Sequence, residues 1–121
     1  MSQSMTSFKQ TAEQEMLLFL QQINQEAVTK AADLIEFSEK HDGRVHVTGI
    51  GKPSYVAGYI ASLLSSTGTS AYMLDGTEAI HGSSGQVCPG DIVIAISNSG
   101  ETQELKKTVS ALLTNGAVVL A

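Results

Sequence analysis

Apolar positions in the first third of the chain recur at the spacing of an amphipathic helix. Gln, Glu and Lys occupy many of the positions between them, and neither Pro nor Gly occurs before Gly43. The recurring apolar residues are Leu20, Ile23, Ala27, Ala31, Leu34 and Ile35. The pattern predicts a helical region over residues 8–40, made of two helices that meet near residues 22–25. Asp42-Gly43 then predicts a turn that ends this region.

After this turn, short β-branched and apolar runs alternate with stretches of helical spacing. The runs predict strands at residues 45–47 (leading into a glycine turn at 49–51), 70–74, 91–97 and 117–121. The stretches between them predict helices at residues 54–66 and 101–114, with a short helix near 77–80 before a Gly/Ser-rich loop. The alternation predicts an α/β fold, a doubly wound, three-layer αβα arrangement around a parallel sheet with right-handed crossovers.

The end of the sequence falls inside the last predicted strand. A strand of a doubly wound sheet is ordinarily followed by a helix that covers it, so we expect the C-terminal part of the domain to be missing from this sequence. We expect residues 1–43 to form a helical segment that packs on the domain or on an oligomer interface, and residues 44–121 to form the first part of the domain. The apolar stripe that includes Leu17, Leu20 and Ile23 predicts association between copies of the chain.

The amino-acid composition excludes several classes of protein. Of the 121 residues 42% are hydrophobic, which indicates one folded domain with a core. The formal net charge of -5 counts against a nucleic-acid or anionic-membrane surface, because phosphate backbones bind clustered cations. The single Cys88 excludes an internal disulfide. Residues 1–10 lack the apolar core of a secretory signal, and no apolar run approaches the ~18 residues of a membrane span. We therefore expect a cytoplasmic protein.

Candidate chemistry lies in the loops that follow the predicted strands. Ligands of open parallel sheets bind beyond the carboxyl ends of the strands. The third strand leads to Ser97, Ser99 and Thr102 at the start of a helix, and hydroxyls together with free N–H groups at a helix N-terminus form a neutral anion site. The alternative is helix capping alone, since Asn98 and Glu101 have the spacing of a capping box.

Lys52 follows a strand-end glycine and is the only Lys or Arg between Arg44 and Lys106. A cation at this position would meet an anion held by the serine loop, although a solvated loop lysine is the common alternative. His81 lies in a glycine-rich loop and is a side chain suited to proton exchange near neutral pH, or to a bracing hydrogen bond.

The remaining candidates have simpler interpretations. His46, inside a strand, is expected to be structural, and His41 to be a solvated residue at a helix end. Cys88 beside Pro89 is expected to fill a small packing space. His81 and Cys88 lack a third ligand, so we expect no metal site.

A dinucleotide site is the rival hypothesis for the first glycine loop. Gly49-x-Gly51-x-x-Ser54, with Asp75 at the end of the next strand, partly imitates the dinucleotide fingerprint. Its third glycine is missing, and neither Lys52 nor the serine loop belongs to that fingerprint. We rank this hypothesis below the binding of a phosphorylated sugar.

These loops together resemble the sugar isomerase (SIS) domain family, and within it the arabinose 5-phosphate isomerase group. The stretches that carry the resemblance have the family's order and spacing. They are Gly49-Ile50-Gly51-Lys52, Ser66-Thr67-Gly68-Thr69, Glu78-Ala79-Ile80-His81-Gly82 and the segment from Asp91 to Thr102.

The resemblance implies a five-stranded parallel sheet of Rossmann-like topology and a homotetramer whose active sites are shared between subunits. It implies a phosphosugar aldose–ketose isomerase that works through an enediol(ate), with a sugar phosphate as its small-molecule partner and no cofactor. Lys52 would orient substrate or stabilise negative charge, Glu101 would be an acid/base group, and His81 would act from a neighbouring subunit. The phosphate would be held by Ser97, Ser99, Thr102, Gly51 and Ser54.

Two positions depart from the family pattern. Where the family has Ser-Gly-His after its lysine, this chain has Pro53-Ser54-Tyr55, and the family's His-Gly-Asp is His81-Gly82-Ser83 here. The changes remove a hydroxyl, a backbone donor and a carboxylate near the expected ligand. Because of these changes, a phosphosugar-binding sensor without catalysis is the second hypothesis. A purely structural role is the third.

Overall fold

The structure is a computed structural model that describes residues 2–100 and 102–121. It divides into two compact units, one ending at Lys30 and the other comprising Ala31–Ala121. The helical region consists of α1 (Gln3–Gln22) and α2 (Gln25–Lys40), which confirms the predicted break near residues 22–25. The break has a local cause, because the Asn24 Oδ1 accepts a hydrogen bond from the Ala27 N–H at 3.0 Å and so caps α2.

The second unit is built on a parallel sheet, as predicted. Within the described residues its strands are β1 (Val45–Gly49), β2 (Ala71–Asp75), β3 (Ile92–Ile96) and β4 (Val118–Leu120), in the order β2-β1-β3-β4. Helix α3 (Lys52–Ser66) connects β1 to β2, and α4 (Gln103–Thr114) connects β3 to β4. Two 3-10 turns among these residues, Glu78–His81 and Ser83–Gln86, fill the segment between β2 and β3.

Alternate residues of the strands pack on opposite faces of the sheet, which gives the expected three-layer arrangement. On one face, Val45, Val47 and Ile92 pack against Ala57 and Ala61 of α3, with Leu34 and Ile35 of α2 alongside. The opposite face packs against the 3-10 segment and α4. The buried residues of that side are Leu74, Val93, Ala79, Val87, Leu112 and Ala117.

A buried carboxylate ties the amino ends of β1 and β3 together. Asp91 accepts hydrogen bonds from the Arg44 N–H and the Cys88 N–H, both at 3.0 Å. Its Oδ2 also lies 2.9 Å from Nε2 of His46, which is 4% exposed. Burial by itself would raise the pKa of Asp91, but the hydrogen bonds from Cys88, His46 and Arg44 outweigh it and hold the pKa below its ordinary value. His46 is therefore structural, as its position inside a strand predicts.

The expected packing role of Cys88 is wrong. Its side chain is exposed, and the neighbouring Val87 is the residue that is buried in the core. The backbone direction explains the difference, because the turn that brings the Cys88 N–H to Asp91 directs the chain toward the surface at this point. His41 agrees with its prediction, since it is exposed beyond α2 and its Nδ1 lies 2.8 Å from the Phe37 carbonyl oxygen.

We predict that Asp91→Asn lowers the free energy of unfolding by about 1–3 kcal/mol near neutral pH, because one amide oxygen cannot accept all three hydrogen bonds. The exposed Asp33→Asn on α2 is the matched control and should change stability by under about 0.5 kcal/mol. Urea unfolding followed by far-UV circular dichroism measures both. Equal stability of the two variants would contradict the structural role of Asp91.

The same residue should make stability depend on acid pH. Because the pKa of Asp91 is lower in the folded than in the unfolded chain, its contribution is complete above the ordinary value of 3.8 and is lost as the pH falls through the folded-state pKa. Wild type should therefore lose more stability than Asp91→Asn over this acidic range. Unfolding curves collected at stepwise lower pH test this, and parallel losses in both proteins would count against it.

Candidate functional site

The candidate site lies where the strand order reverses. After β1 the chain returns through α3 to β2 on one side, whereas after β3 it proceeds through α4 to β4 on the other side. The two connections leave a crevice beyond the carboxyl ends of β1 and β3, which is the usual ligand position of such sheets. A cleft of about 190 Å³ occupies this crevice. Its lining residues are Ile50, Pro53, Ile96, Ser97, Asn98, Ser99, Thr102 and Leu105.

The cleft has one polar wall and one apolar wall. Ser97, Ser99 and Thr102, predicted from the sequence, supply hydroxyl groups to the polar wall and are joined there by Asn98. The apolar wall consists of Ile50, Pro53, Ile96 and Leu105. This wall was not predicted as part of the site, because apolar residues at the ends of strands and helices have the same pattern whether they enter a core or face a ligand.

The serine loop is shaped by a local hydrogen bond. The Ser97 Oγ accepts from the Gly100 N–H at 2.7 Å, and Gly100 has a φ of 73°, a conformation that favours glycine. Helix α4 begins only at Gln103, with Thr102 as its N-cap residue in an extended conformation. Asn98 is therefore too far from the helix to cap it, and capping does not explain this residue. The first N–H groups of α4 have no partner within their own helix and lie beside the hydroxyl wall.

The glycine loop after β1 forms the start of α3. Gly51 has a φ of 75° and is the N-cap residue of α3, while Pro53 lies in the first turn, where its missing N–H costs nothing. The N–H of Ser54 donates to the Gly51 carbonyl oxygen at 3.0 Å, and its hydroxyl donates to the same oxygen. Lys52 is exposed. Among these four residues Pro53 lines the cleft, and the other three lie next to it along the chain.

Two close backbone contacts hold the glycine loop in place. A Cβ added to Gly49 would lie 2.8 Å from the carbonyl carbon of Pro53, so the end of β1 is pressed against the first turn of α3. A Cβ added to Gly76 would lie 2.7 Å from Cγ1 of Ile50 and 3.0 Å from the Gly49 oxygen. No role was predicted for Gly76, because its contact with Ile50 joins two loops that are distant along the chain. Such a contact produces no pattern in the residues around Gly76.

Two other predicted residues that the structure describes, His81 and Asp75, lie outside the cleft. His81 ends the first 3-10 turn and is exposed. Glu101 lies outside the described residues. The Asp75 Oδ1 accepts from the Thr77 and Glu78 N–H groups, both at 2.9 Å, so this carboxylate is engaged in starting the 3-10 turn. That engagement counts against the dinucleotide hypothesis, in which Asp75 would bind a ribose.

Residues 2–100 and 102–121 offer neither a metal site nor a membrane-spanning helix. No group of three or more His, Cys, Asp and Glu side chains in this part of the chain could hold a metal ion. No helix in the same residues has the length and hydropathy needed to cross a membrane.

A parallel α/β sheet with a hydroxyl-lined cleft at its switch point is typical of domains that bind small anionic ligands. The sequence profile of the SIS domain matches residues 36–121. The chain therefore belongs to the SIS domain family, as its loops suggested.

Several of the relatives carry names from sugar-phosphate chemistry. The chain is 44% identical over 70 residues to arabinose 5-phosphate isomerase KdsD of Salmonella typhi, a match that covers 58% of this chain and 21% of that protein. The chain thus spans about a fifth of the length of this curated relative.

Two solved structures have the same fold over nearly the whole chain. A Bacteroides fragilis protein described as a candidate phosphosugar isomerase involved in capsule formation superposes with a TM-score of 0.85 and 28% identity, covering 96% of this chain and 62% of that one. An Escherichia coli CFT073 protein in complex with arabinose 5-phosphate superposes with a TM-score of 0.78 and 32% identity, covering 98% and 64%. The sequence relatives and the structural neighbours thus agree on the fold and on a relationship to phosphosugar isomerases.

We predict that Gly49→Ala destabilises the fold by about 1–3 kcal/mol, because the new methyl group would collide with the backbone of Pro53. Gly58→Ala is the matched control. Its Cβ would lie 3.4 Å from the flexible Met73 Sδ within a helix, so it should leave stability unchanged or raise it by up to about 1 kcal/mol. Chemical unfolding of both variants is the measurement. If Gly49→Ala proved as stable as Gly58→Ala, the contact between β1 and α3 would be looser than described.

Proposed function

We propose that this chain forms the phosphosugar-binding region of an aldose–ketose isomerase that acts on arabinose 5-phosphate or a related aldose phosphate. The observation that carries the proposal is the hydroxyl-lined cleft at the switch point between β1 and β3. The relatives named above support the substrate class, since one is an arabinose 5-phosphate isomerase and another was solved in complex with that sugar phosphate.

In this proposal the polar wall binds the phosphate. Ser97, Ser99 and Thr102 face the cleft, and the first turn of α4 adds N–H groups and the positive end of a helix dipole. These neutral donors bind a dianion without a buried cation, whose desolvation would be costly. Gly51 and Ser54, in the turn at the start of α3, are proposed as further phosphate contacts from the opposite side of the crevice.

The chemical step is a proton transfer between adjacent carbons through an enediol(ate). In the proposed roles, Lys52 orients the substrate or stabilises the negative charge that develops on its oxygen, and Glu101 is a general acid/base. His81 assists ring opening or proton transfer from a neighbouring subunit. Its exposed position at the end of a 3-10 turn, outside the cleft of its own chain, agrees with that role. No cofactor or metal enters this scheme.

A homotetramer with shared active sites completes the proposal. Helix α1 has no buried residue over its described length, and its exposed apolar side chains include Leu17, Leu20 and Phe19. Such a stripe is suited to contact with another copy of the chain. Residues 1–43 would then serve as the helical, interface-forming segment and residues 44–121 as the phosphosugar-binding domain. We also propose that the protein is cytoplasmic and binds neither nucleic acid nor membranes.

Binding is tested by removing one hydroxyl from the polar wall. Thr102→Val should weaken the affinity for arabinose 5-phosphate about 10- to 100-fold, the effect of a lost hydrogen bond to a charged group. Ser110→Ala, a position on the same helix outside the cleft, should leave the affinity unchanged. Isothermal titration calorimetry measures both. Equal affinities would show that the phosphate binds elsewhere.

Catalysis is tested by proton exchange. With arabinose 5-phosphate in D₂O, the active protein should introduce deuterium at C2 while ketose appears, as followed by NMR. Lys52→Met should slow exchange by about 100-fold or more, and the exposed Lys107→Met should not. Exchange that persists unchanged in Lys52→Met would remove the role assigned to this lysine.

A phosphosugar sensor without catalysis is the second candidate. The observation that favours it is Pro53 in the wall of the cleft, because proline offers the ligand neither a hydroxyl nor an N–H donor. Ser83, where the family has an acid, points in the same direction. The sensor predicts calorimetric binding of the sugar phosphate with no deuterium at C2 in any member of a panel of aldose phosphates. Detected exchange would exclude it.

A further inference from the structure

A separate cavity of about 440 Å³ lies near the amino ends of β1 and β2, away from the cleft at the carboxyl ends. It is lined by Arg44, His46, Tyr72, Met73 and Gln86 and shares none of these residues with that cleft. Its volume falls within the usual range for small-molecule sites. None of these residues has a role in the proposed isomerase. A ligand in this cavity would therefore serve a different function.

His46 gives this cavity an oriented polar group. The ring is 4% exposed, lines the cavity, and has its Nε2 held 2.9 Å from the Asp91 Oδ2. The hydrogen bonds on Asp91 lower the pKa of this carboxyl, which is therefore ionised and can only accept, so the proton of the shared bond resides on Nε2. The nitrogen left for a ligand is then Nδ1, a lone-pair acceptor that can accept a hydrogen bond from an O–H group of the ligand.

Arg44 supplies a permanent positive charge to the same cavity. It is the only arginine in the sequence, and its guanidinium carbon lies 5.8 Å from the centroid of the Tyr72 ring, within reach of a cation–π contact. Among the described residues no carboxylate forms an ion pair with it. Arg44 also lines a neighbouring groove together with Glu39 and Asp42. These two acidic residues do not line the cavity that contains His46.

The other lining groups determine what else could fit. The Gln86 amide and the Tyr72 hydroxyl are neutral hydrogen-bonding groups, and the described residues contribute no acidic side chain to the lining. Tyr72 is 49% exposed and presents the apolar face of its ring at the edge of the cavity, whereas the Met73 side chain lies on the α3 face of the sheet. The Arg44 guanidinium is suited to an oxyanion, Nδ1 of His46 to an O–H donor, and the Tyr72 ring to a small organic body.

We propose that this cavity is a second ligand site that binds a small molecule bearing a phosphate or carboxylate group together with an O–H group. The oxyanion accepts hydrogen bonds from Arg44, the O–H donates to Nδ1 of His46, and the body of the ligand packs against Tyr72. The site is independent of the isomerase proposal, because it lies at the opposite end of the strands.

The test is an NMR titration of the three histidine rings with inorganic phosphate and, separately, with acetate, at constant ionic strength maintained with chloride. His41→Gln and His81→Gln assign the remaining ring signals to His46. Saturable shifts of the His46 ring protons are expected in wild type, and the oxyanion that binds more tightly identifies the preferred headgroup. Failure of both anions to shift His46 would overturn the proposal.

Arg44→Gln should weaken this binding by about tenfold or more, because one charged, bidentate donor is lost. The fold should survive, since only the Arg44 backbone N–H bonds to Asp91, and far-UV circular dichroism checks this. Arg44→Lys should have intermediate affinity. Lys30→Gln, an exposed position that removes the same charge, is the matched control and should bind as wild type does.

Two results in the variants would overturn the site. The first is an equal shift of His46 in Arg44→Gln and wild type. The second is loss of the shift in Thr102→Val, which would mean that the anion acts through the cleft at the carboxyl ends. If arabinose 5-phosphate bound nowhere while His46 still responded to phosphate, the isomerase proposal would fail and this site would stand.

Discussion

The parallel pairing of β1 with β3 brings the two loops of the candidate site together. Gly49 lies opposite Ile96 in the register, so both strands end at the same level and at the same edge of the sheet. The chain then departs to opposite faces, through α3 on one side and α4 on the other, and a crevice is left between the two departures. Small residues permit the close approach there, since the end of β1 touches the first turn of α3 at Gly49.

The opposite end of the same strand pair is fixed by Asp91. Its carboxylate is buried, yet three donors from Arg44, His46 and Cys88 compensate for the loss of hydration. Because these donors come from the start of β1 and from the turn before β3, the carboxylate sets the distance and register of the two strands. The pair β1 and β3 is thus joined by the Asp91 hydrogen bonds at its amino end and leaves the candidate cleft at its carboxyl end. The cavity with Arg44 and His46 lies next to Asp91.

Local sequence patterns predicted most of the fold. The helical spacing around Leu20 to Ile35, the apolar run Ile92–Ile96 and the glycine turns gave the element order, and the break between α1 and α2 was found within its predicted range. Ser97, Ser99 and Thr102 line one cleft, and hydroxyls after a buried strand are a local signal, but their role in binding a phosphate stays a prediction. Lys52 and His81 remain predictions, since their roles depend on a substrate and on neighbouring chains. The start of α4 was placed too early, because Ser97 and Gly100 form their own turn before Gln103.

The sequence by itself determined the class of fold, its family and the polar half of the candidate site, because these depend on periodicity and on short motifs within one loop. Only the tertiary structure decided which apolar residues face the cleft, that Gly76 must accommodate Ile50, and that Cys88 is exposed while Val87 is buried. It also brought Arg44, His46 and Tyr72 from two strands to one cavity. Each of these depends on contacts between segments far apart along the chain, and such contacts follow from the register of the strands and the direction of the turns, which no local pattern encodes.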